Sequence, residues 1–303
     1  MNNTLNILKN IYKPYRFTIK GKSTLLETTS GNFIVKPKNK NIFELYNYLL
    51  SRGFDHFPKL IDASRKEVNV FEYVEDFSIP KEQKIMDLID ILASLHNKTS
   101  YFKEVSEDTY KAIYENIMSN INYLMNYYDT LYEKHFPEIY FSPSTYIFMR
   151  NYYKIMSSLE FALHQTEEWY NHIIDEHQIR VCVVHNNVSL DHFLKKDYAY
   201  LISWDNYMFD TPVIDLVKLY KKEWQNSSFK ECLKRYMYKF PLLDYEKELF
   251  FILISIPIEL HLEDDEFTNT KNISEFLNYI FKTEELIRPY YSNHDEEEKQ
   301  DFQ

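Results

Sequence analysis

Glycine is almost missing from this chain of 303 residues, which contains three. A glycine-rich phosphate loop works by letting consecutive backbone N–H groups approach an anion closely. Here only Lys20-Gly21-Lys22-Ser23 is available to build one. Cysteine is as scarce. Cys182 and Cys232 are too few for a disulfide framework, lack metal-ligand spacing, and read as two buried thiols in a reducing compartment. No apolar run approaches the ~20 residues of a membrane span, and the N-terminus lacks the apolar core of a signal peptide. The most apolar stretch, Leu249 to Leu260, is interrupted by Ser255, Pro257 and Glu259 and reads as a buried helix or helix end. Basic residues are outnumbered, 35 Lys and Arg against 46 Asp and Glu, for a net charge of -11. That balance excludes a general binder of nucleic-acid backbones, although it leaves room for a local basic pocket. The expectation is a protein that is cytoplasmic when made, with no membrane span and no nucleic-acid partner.

Aromatic residues are abundant, with 27 Tyr and 22 Phe. The stripe Tyr123, Tyr127, Tyr128, Tyr132, Phe136, Tyr140 and Phe141 reads first as packing between helices, and second as a ligand or partner surface. Short strands fill the first part: Tyr15 to Lys20, Lys22 to Thr28, Phe33 to Lys36, Lys59 to Ala63 and Glu67 to Val74. One helix interrupts them, from about Ile42 to Arg52, with Gly53 as its C-cap. After Glu75-Asp76 the pattern turns helical: Lys81 to Asn97, 107 to 133, 145 to 177 and most of 213 to 290. Two short strands, Ile179 to Val184 and Tyr198 to Trp204, bracket a loop. The expected domains are an N-terminal lobe at 1–75, a helical C-terminal lobe at 76–292 and an acidic disordered tail at 293–303.

Several motifs follow one another at compatible separations. Lys36 ends a strand and Glu44 lies in the helix after it. Val70-Phe71-Glu72-Tyr73-Val74-Glu75 crosses from the strand-rich to the helix-rich part. Leu92-Ala93-Ser94-Leu95-His96 lies in a helix. His185-Asn186-Asn187-Val188-Ser189-Leu190-Asp191-His192 precedes Leu201-Ile202-Ser203-Trp204-Asp205, and Asp210-Thr211-Pro212 leads to Asp215-Leu216. Together, over roughly residues 10 to 290, they resemble the protein-kinase-like fold in its aminoglycoside and choline phosphotransferase branch. Within that branch the chain is most similar to the spore-coat kinase-like proteins. The resemblance implies an α+β, two-lobed fold with a small five-stranded N-lobe carrying one helix and a larger helical C-lobe. It implies that Lys36 binds nucleotide phosphates with Glu44 as its ion-pair partner, and that the backbone around Glu72 and Val74 meets the adenine edge. It further implies that His185 and Asp215 are structural, Asp215 bracing the catalytic loop.

The departures fall on the chemistry. Asn187 stands at the catalytic-base position, and an amide cannot take a proton near neutral pH. His192 and Ser203 stand at the two metal positions, where Mg²⁺ wants oxygen and negative charge. Asp191 and Asp205 are the candidates for rescue. If the strand continues, Asp205 shares a face with Ser203 at i and i+2. The expectation is therefore a pseudokinase acting as a binding or assembly protein, with the spore coat as its implied setting. Its partners would be spore-coat proteins or a small-molecule ligand between the lobes, and whether ATP and Mg²⁺ are retained stays open. The alternative is an active ATP-dependent phosphotransferase using Asp205 or Asp191. Elsewhere, His164, His172 and His177 lie at offsets of 8 and 5, which do not make a helical metal pair. His261 with Glu259, Glu263, Asp264 and Asp265 reads as a solvated acidic turn before a cation site.

Overall fold

The computed structural model describes residues 10–262 and 265–300, with side chains as far as Tyr291. Glu263 and Asp264 of the acidic turn, and the last three residues of the expected tail, lie outside the described residues. In chain order the strands are β1 (Arg16–Lys20), β2 (Ser23–Thr28), β3 (Gly31–Pro37), β4 (Leu60–Asp62), β5 (Val68–Glu72), β6 (Tyr101–Glu104), β7 (Gln178–Val184), β8 (Phe193–Lys195), β9 (Ala199–Leu201) and β10 (Met208–Asp210). The helices are α1 (Ile42–Ser51), α2 (Lys81–Thr99), α3 (Glu107–His135), α4 (Pro143–Ile173), α5 (Val213–Glu223), α6 (Phe229–Lys239), α7 (Asp244–Ser255) and α8 (Glu266–Gln300). This is the α+β, two-lobed, kinase-like arrangement expected, with a five-stranded antiparallel sheet and a larger helical part.

The chain falls into two compact units. The first gathers Met1–Tyr101, Cys182–Lys218 and Cys232–Phe240. Its limits do not coincide with the break at residue 76, where strand gives way to helix. Helix α2 and the segment around His185 fall in this unit too, and buried polar bonds tie them to each other. One of these is the bond from the Val183 N–H to Thr99 Oγ1, 3.0 Å.

The sheet order is β1-β2-β3-β5-β4. Its register pairs Leu25 with Ile34 and Ile34 with Phe71, so these share a face with Lys36, two residues along β3 from Ile34. The opposite face carries Leu26, Val35, Val68 and Val70, packed with Tyr12 and Phe33. Thr28 and Gly31 close the β2–β3 turn: Thr28 Oγ1 donates to the Gly31 carbonyl at 2.6 Å, and Gly31 has φ 130°, a conformation side-chain-bearing residues rarely adopt. Helix α1 turns Ile42, Leu45, Tyr46 and Leu49 inward. Three short strands escaped the sequence reading: β6, β8 and β10. Where one strand was expected over Tyr198 to Trp204, β8 and β9 form a hairpin, and β10 pairs with β7. Three-residue strands are too short to show a period.

The second unit comprises Phe102–Val181, Leu219–Glu231 and Pro241–Gln303. Helices α3 and α4 pack through aromatic rings, with Tyr132 stacked on Tyr152 at 4.2 Å and Tyr128 fully buried. The aromatic stripe is thus partly core, as expected, but its far end is not: Ile139 is 86% and Tyr140 91% exposed. The stretch around Leu249 is a buried helix, α7, with Phe250, Ile252 and Ile254 inside. Its Glu246 is buried and takes a two-pronged bond from Arg180, with Arg180 Nε at 3.0 Å. Helix α8 continues to Gln300, into the expected tail. Glu, Lys and Gln are good helix formers, so an acidic run after a helix extends it at little cost. Cys182 and Cys232 are both buried, neither in a disulfide. Among the described residues, no helix is long and apolar enough to cross a membrane.

Helix α4 begins at a built cap. Ser142 Oγ accepts from the Thr145 N–H at 3.3 Å, and Pro143 occupies the first turn where a missing N–H costs nothing. We expect Ser142→Ala to lower stability by about 1 kcal/mol. A shift in the urea midpoint with an unchanged slope would register it, and no shift would mean the cap is idle.

Candidate functional site

The first unit assembles the loop His185 to His192 around one carboxylate. Asp215 is fully buried. Its Oδ2 accepts from the His185 N–H at 2.7 Å, and its Oδ1 from the Asn186 N–H at 2.7 Å. His96 Nε2 donates to Oδ2 at 3.2 Å, and the Tyr236 hydroxyl meets His96 Nδ1 at 2.6 Å. Asp215, expected to brace the loop, thus bonds two of its backbone N–H groups, and His96 and Tyr236 extend that network. The sequence reading picked out His96 only as part of a helical motif. Asn186 sits in the left-handed region, φ 58°, which Asn tolerates well, and Lys218 donates to its carbonyl at 3.0 Å. His185 donates from Nε2 to the Ile202 carbonyl at 2.8 Å, tying the loop to the Ser203 segment.

That segment does not continue as a strand. β9 ends at Leu201, Ser203 adopts φ 68° and ψ 50°, and Trp204–Asn206 form a single 3₁₀ turn. The expectation that Ser203 and Asp205 share a strand face fails for this reason. Trp204 fixes the turn instead. It is 2% exposed, donates from its indole to the Leu201 carbonyl at 2.9 Å, and meets the rings of Phe54 and His185 edge-on.

A cleft of about 490 Å³ lies within this unit, between the Lys36 face of the sheet and the Ser203 turn. Lys36, Ser203, Asp205 and Asp191 all line it, with Lys20 also on its wall. Leu25, Ile34 and Phe71 form an apolar wall beside Glu72, Tyr73 and Val74. Lys36 Nζ donates to Ser203 Oγ at 2.9 Å. Burial holds the Lys36 amine below its ordinary range, and the Asp205 carboxylate opposes that by favouring the charge. Glu72 Oε1 accepts from the Lys59 N–H at 2.8 Å, while among the described residues no group bonds the backbone of half-buried Val74. Asp76, just beyond, is satisfied by Lys84 and by the Lys195 N–H, each at 2.8 Å.

Three expected site residues lie elsewhere. Glu44 is exposed on α1 and makes no ion pair with Lys36; the helix turns Ile42 and Tyr46 towards the cleft and Glu44 away. His192 is not on the cleft wall, and its Nδ1 donates to the Asn187 carbonyl at 2.7 Å, so the ring closes the loop on itself. Asn187 is half-buried and also off the wall.

The donor set fits a nucleotide better than a divalent metal. Lys36 could meet a phosphate, the Val74 backbone a base edge, and the apolar wall a ring. Magnesium has less to hold it. The oxygen at position 203 is neutral and already accepts a hydrogen bond from the Lys36 ammonium, so an ion bound there would sit beside a positive charge. Among the described residues, no group of three or more His, Cys, Asp or Glu side chains is placed to hold a metal ion.

The sequence matches no family model and no curated protein sequence. Solved structures do match. An aminoglycoside phosphotransferase from Alicyclobacillus acidocaldarius is similar with a TM-score of 0.69 at 10% identity, covering 93% of both chains. An AMP-bound spectinomycin phosphotransferase gives 0.59 at 11% identity, over 93% of this chain and 97% of that one. A choline kinase from Streptococcus pneumoniae gives 0.46 at 15% identity, over 95% and 98%. At such identities the likeness is one of fold: the chain has the kinase-like fold of the aminoglycoside phosphotransferases.

Proposed function

We propose that this protein is a pseudokinase: a kinase-like, nucleotide-binding protein without efficient phosphoryl transfer that acts by binding or assembly. The bond from Lys36 to Ser203 carries the reading. The cation that would meet phosphate is in place, while the neighbouring metal position offers a neutral hydroxyl. A base at position 187 is missing as well, and losing a general base alone costs about 10²–10⁴ in rate. The AMP bound to the spectinomycin phosphotransferase supports a nucleotide as the ligand class. The spore coat as setting rests on the sequence resemblance, and the exposed Phe136 and Tyr140 supply aromatic surface suited to such packing.

Adding ATP should raise the melting temperature of the protein, and Lys36→Met should abolish that shift. An unchanged shift in Lys36→Met would remove the phosphate role from Lys36. A second reading, an active small-molecule phosphotransferase, is favoured by one observation: Asp191 and Asp205 both reach the cleft wall. It requires multiple turnovers of ATP on an acceptor such as an aminoglycoside or choline, abolished by Asp205→Asn. Turnover at ordinary kinase rates would overturn the pseudokinase reading.

A further inference from the structure

The geometry points to a nucleotide site that works without a divalent cation and prefers a nucleoside diphosphate to a triphosphate. The inference rests on the nucleotide reading above and goes further, to the charge state of the ligand. It starts from who supplies positive charge. Lys36 Nζ spends one of its three N–H groups on Ser203 Oγ at 2.9 Å and keeps the others for an anion. A hydroxyl that accepts from lysine retains its own proton, so Ser203 can donate to a phosphate oxygen where a carboxylate would repel it. Its left-handed backbone carries that hydroxyl off the strand and onto the cleft wall. Lysine and hydroxyl together therefore do the neutralising that elsewhere needs a metal bridging carboxylate and phosphate.

The same end of the cleft limits how much negative charge it accepts. Asp205 is near enough to Lys36 to favour its charged form, and Asp191 lies on the same cleft wall. Two phosphates meet the ammonium groups of Lys36 and Lys20 and the Ser203 hydroxyl. A third adds at least one negative charge to an end of the cleft where Asp191 stands and where Asp205 already shares the Lys36 ammonium. One unit charge at contact range in a water-like dielectric is worth about a fivefold change in affinity, and more where water is partly excluded.

Calorimetric titration of the whole chain with AMP, ADP and ATP, in EDTA and then in Mg²⁺, tests this. ADP should bind in EDTA, ATP should bind about fivefold or more weakly there, and Mg²⁺ should change ADP affinity by less than about twofold. Ser203→Asp should reverse the pattern, weakening ADP in EDTA and restoring it with Mg²⁺, because a carboxylate repels phosphate until a cation bridges them. Ser203→Asn suits the left-handed backbone and adds no charge, so it should keep the EDTA binding. Binding that needs Mg²⁺, or ATP as tight as ADP in EDTA, would overturn the inference and leave the nucleotide reading standing. No binding of any nucleotide in either medium would remove both.

Discussion

Asp215→Ala is expected to destabilise the protein by about 3–5 kcal/mol, the cost of breaking a buried charged hydrogen-bond network by removing one partner. The carboxylate is fully buried and accepts from two consecutive backbone N–H groups and from His96. Alanine strands all three donors in the interior, and each unsatisfied buried group costs about 1–3 kcal/mol. The loss exceeds a simple sum of packing because Asn186 is held in a left-handed conformation by the same clamp. Asp215→Asn should cost less, since its amide oxygen can still accept from one of the loop N–H groups. Urea unfolding of the three proteins measures both. A loss below about 1 kcal/mol for alanine would mean that the loop keeps its shape without the brace.

The largest functional effect is expected from restoring the three positions together. The triple variant Asn187→Asp, His192→Asn and Ser203→Asp should raise Mg²⁺-dependent ATP turnover by about 10²–10⁴-fold over the natural chain, the range that a general base contributes. Each change suits its surroundings. Asp tolerates the left-handed backbone at 203 and gains Lys36 as an ionic partner. Asn at 192 can still donate to the carbonyl of residue 187, as the imidazole does. A carboxylate at 203 also lets Lys36 and a metal ion share one anion, which the hydroxyl cannot. A coupled assay for ADP release reads the outcome. Turnover that stays at the natural level, in a variant that still melts cooperatively, would show that these three positions are not what withholds catalysis.

Much of the fold was legible in the chain. Period-two alternation in Phe33-Ile34-Val35-Lys36 and helical spacing in the Lys81 to Asn97 stretch are local patterns, and both elements stand where expected. Position along the chain was enough to bring Lys36 and the Ser203 segment into one reading. Three things were not legible. Glu44 lost its expected partner because which face of α1 looks inward depends on the packing of Ile42, Leu45, Tyr46 and Leu49. The His192 ring went to a carbonyl of its own loop, a choice set by how tightly that loop closes. The chain turned at Ser203, where strand geometry was expected to carry on to Asp205.

By itself, then, the sequence determined the elements, their order and the chemistry of the side chains at 187, 192 and 203, because hydrophobic period and residue chemistry are local properties. Only the tertiary structure decided which of those groups meet. The Lys36 ammonium and the Ser203 hydroxyl lie 167 residues apart in the chain and 2.9 Å apart in space. No local pattern encodes that contact. It follows from a sheet face, a buried tryptophan and a left-handed residue that together bring a positive charge to a neutral hydroxyl.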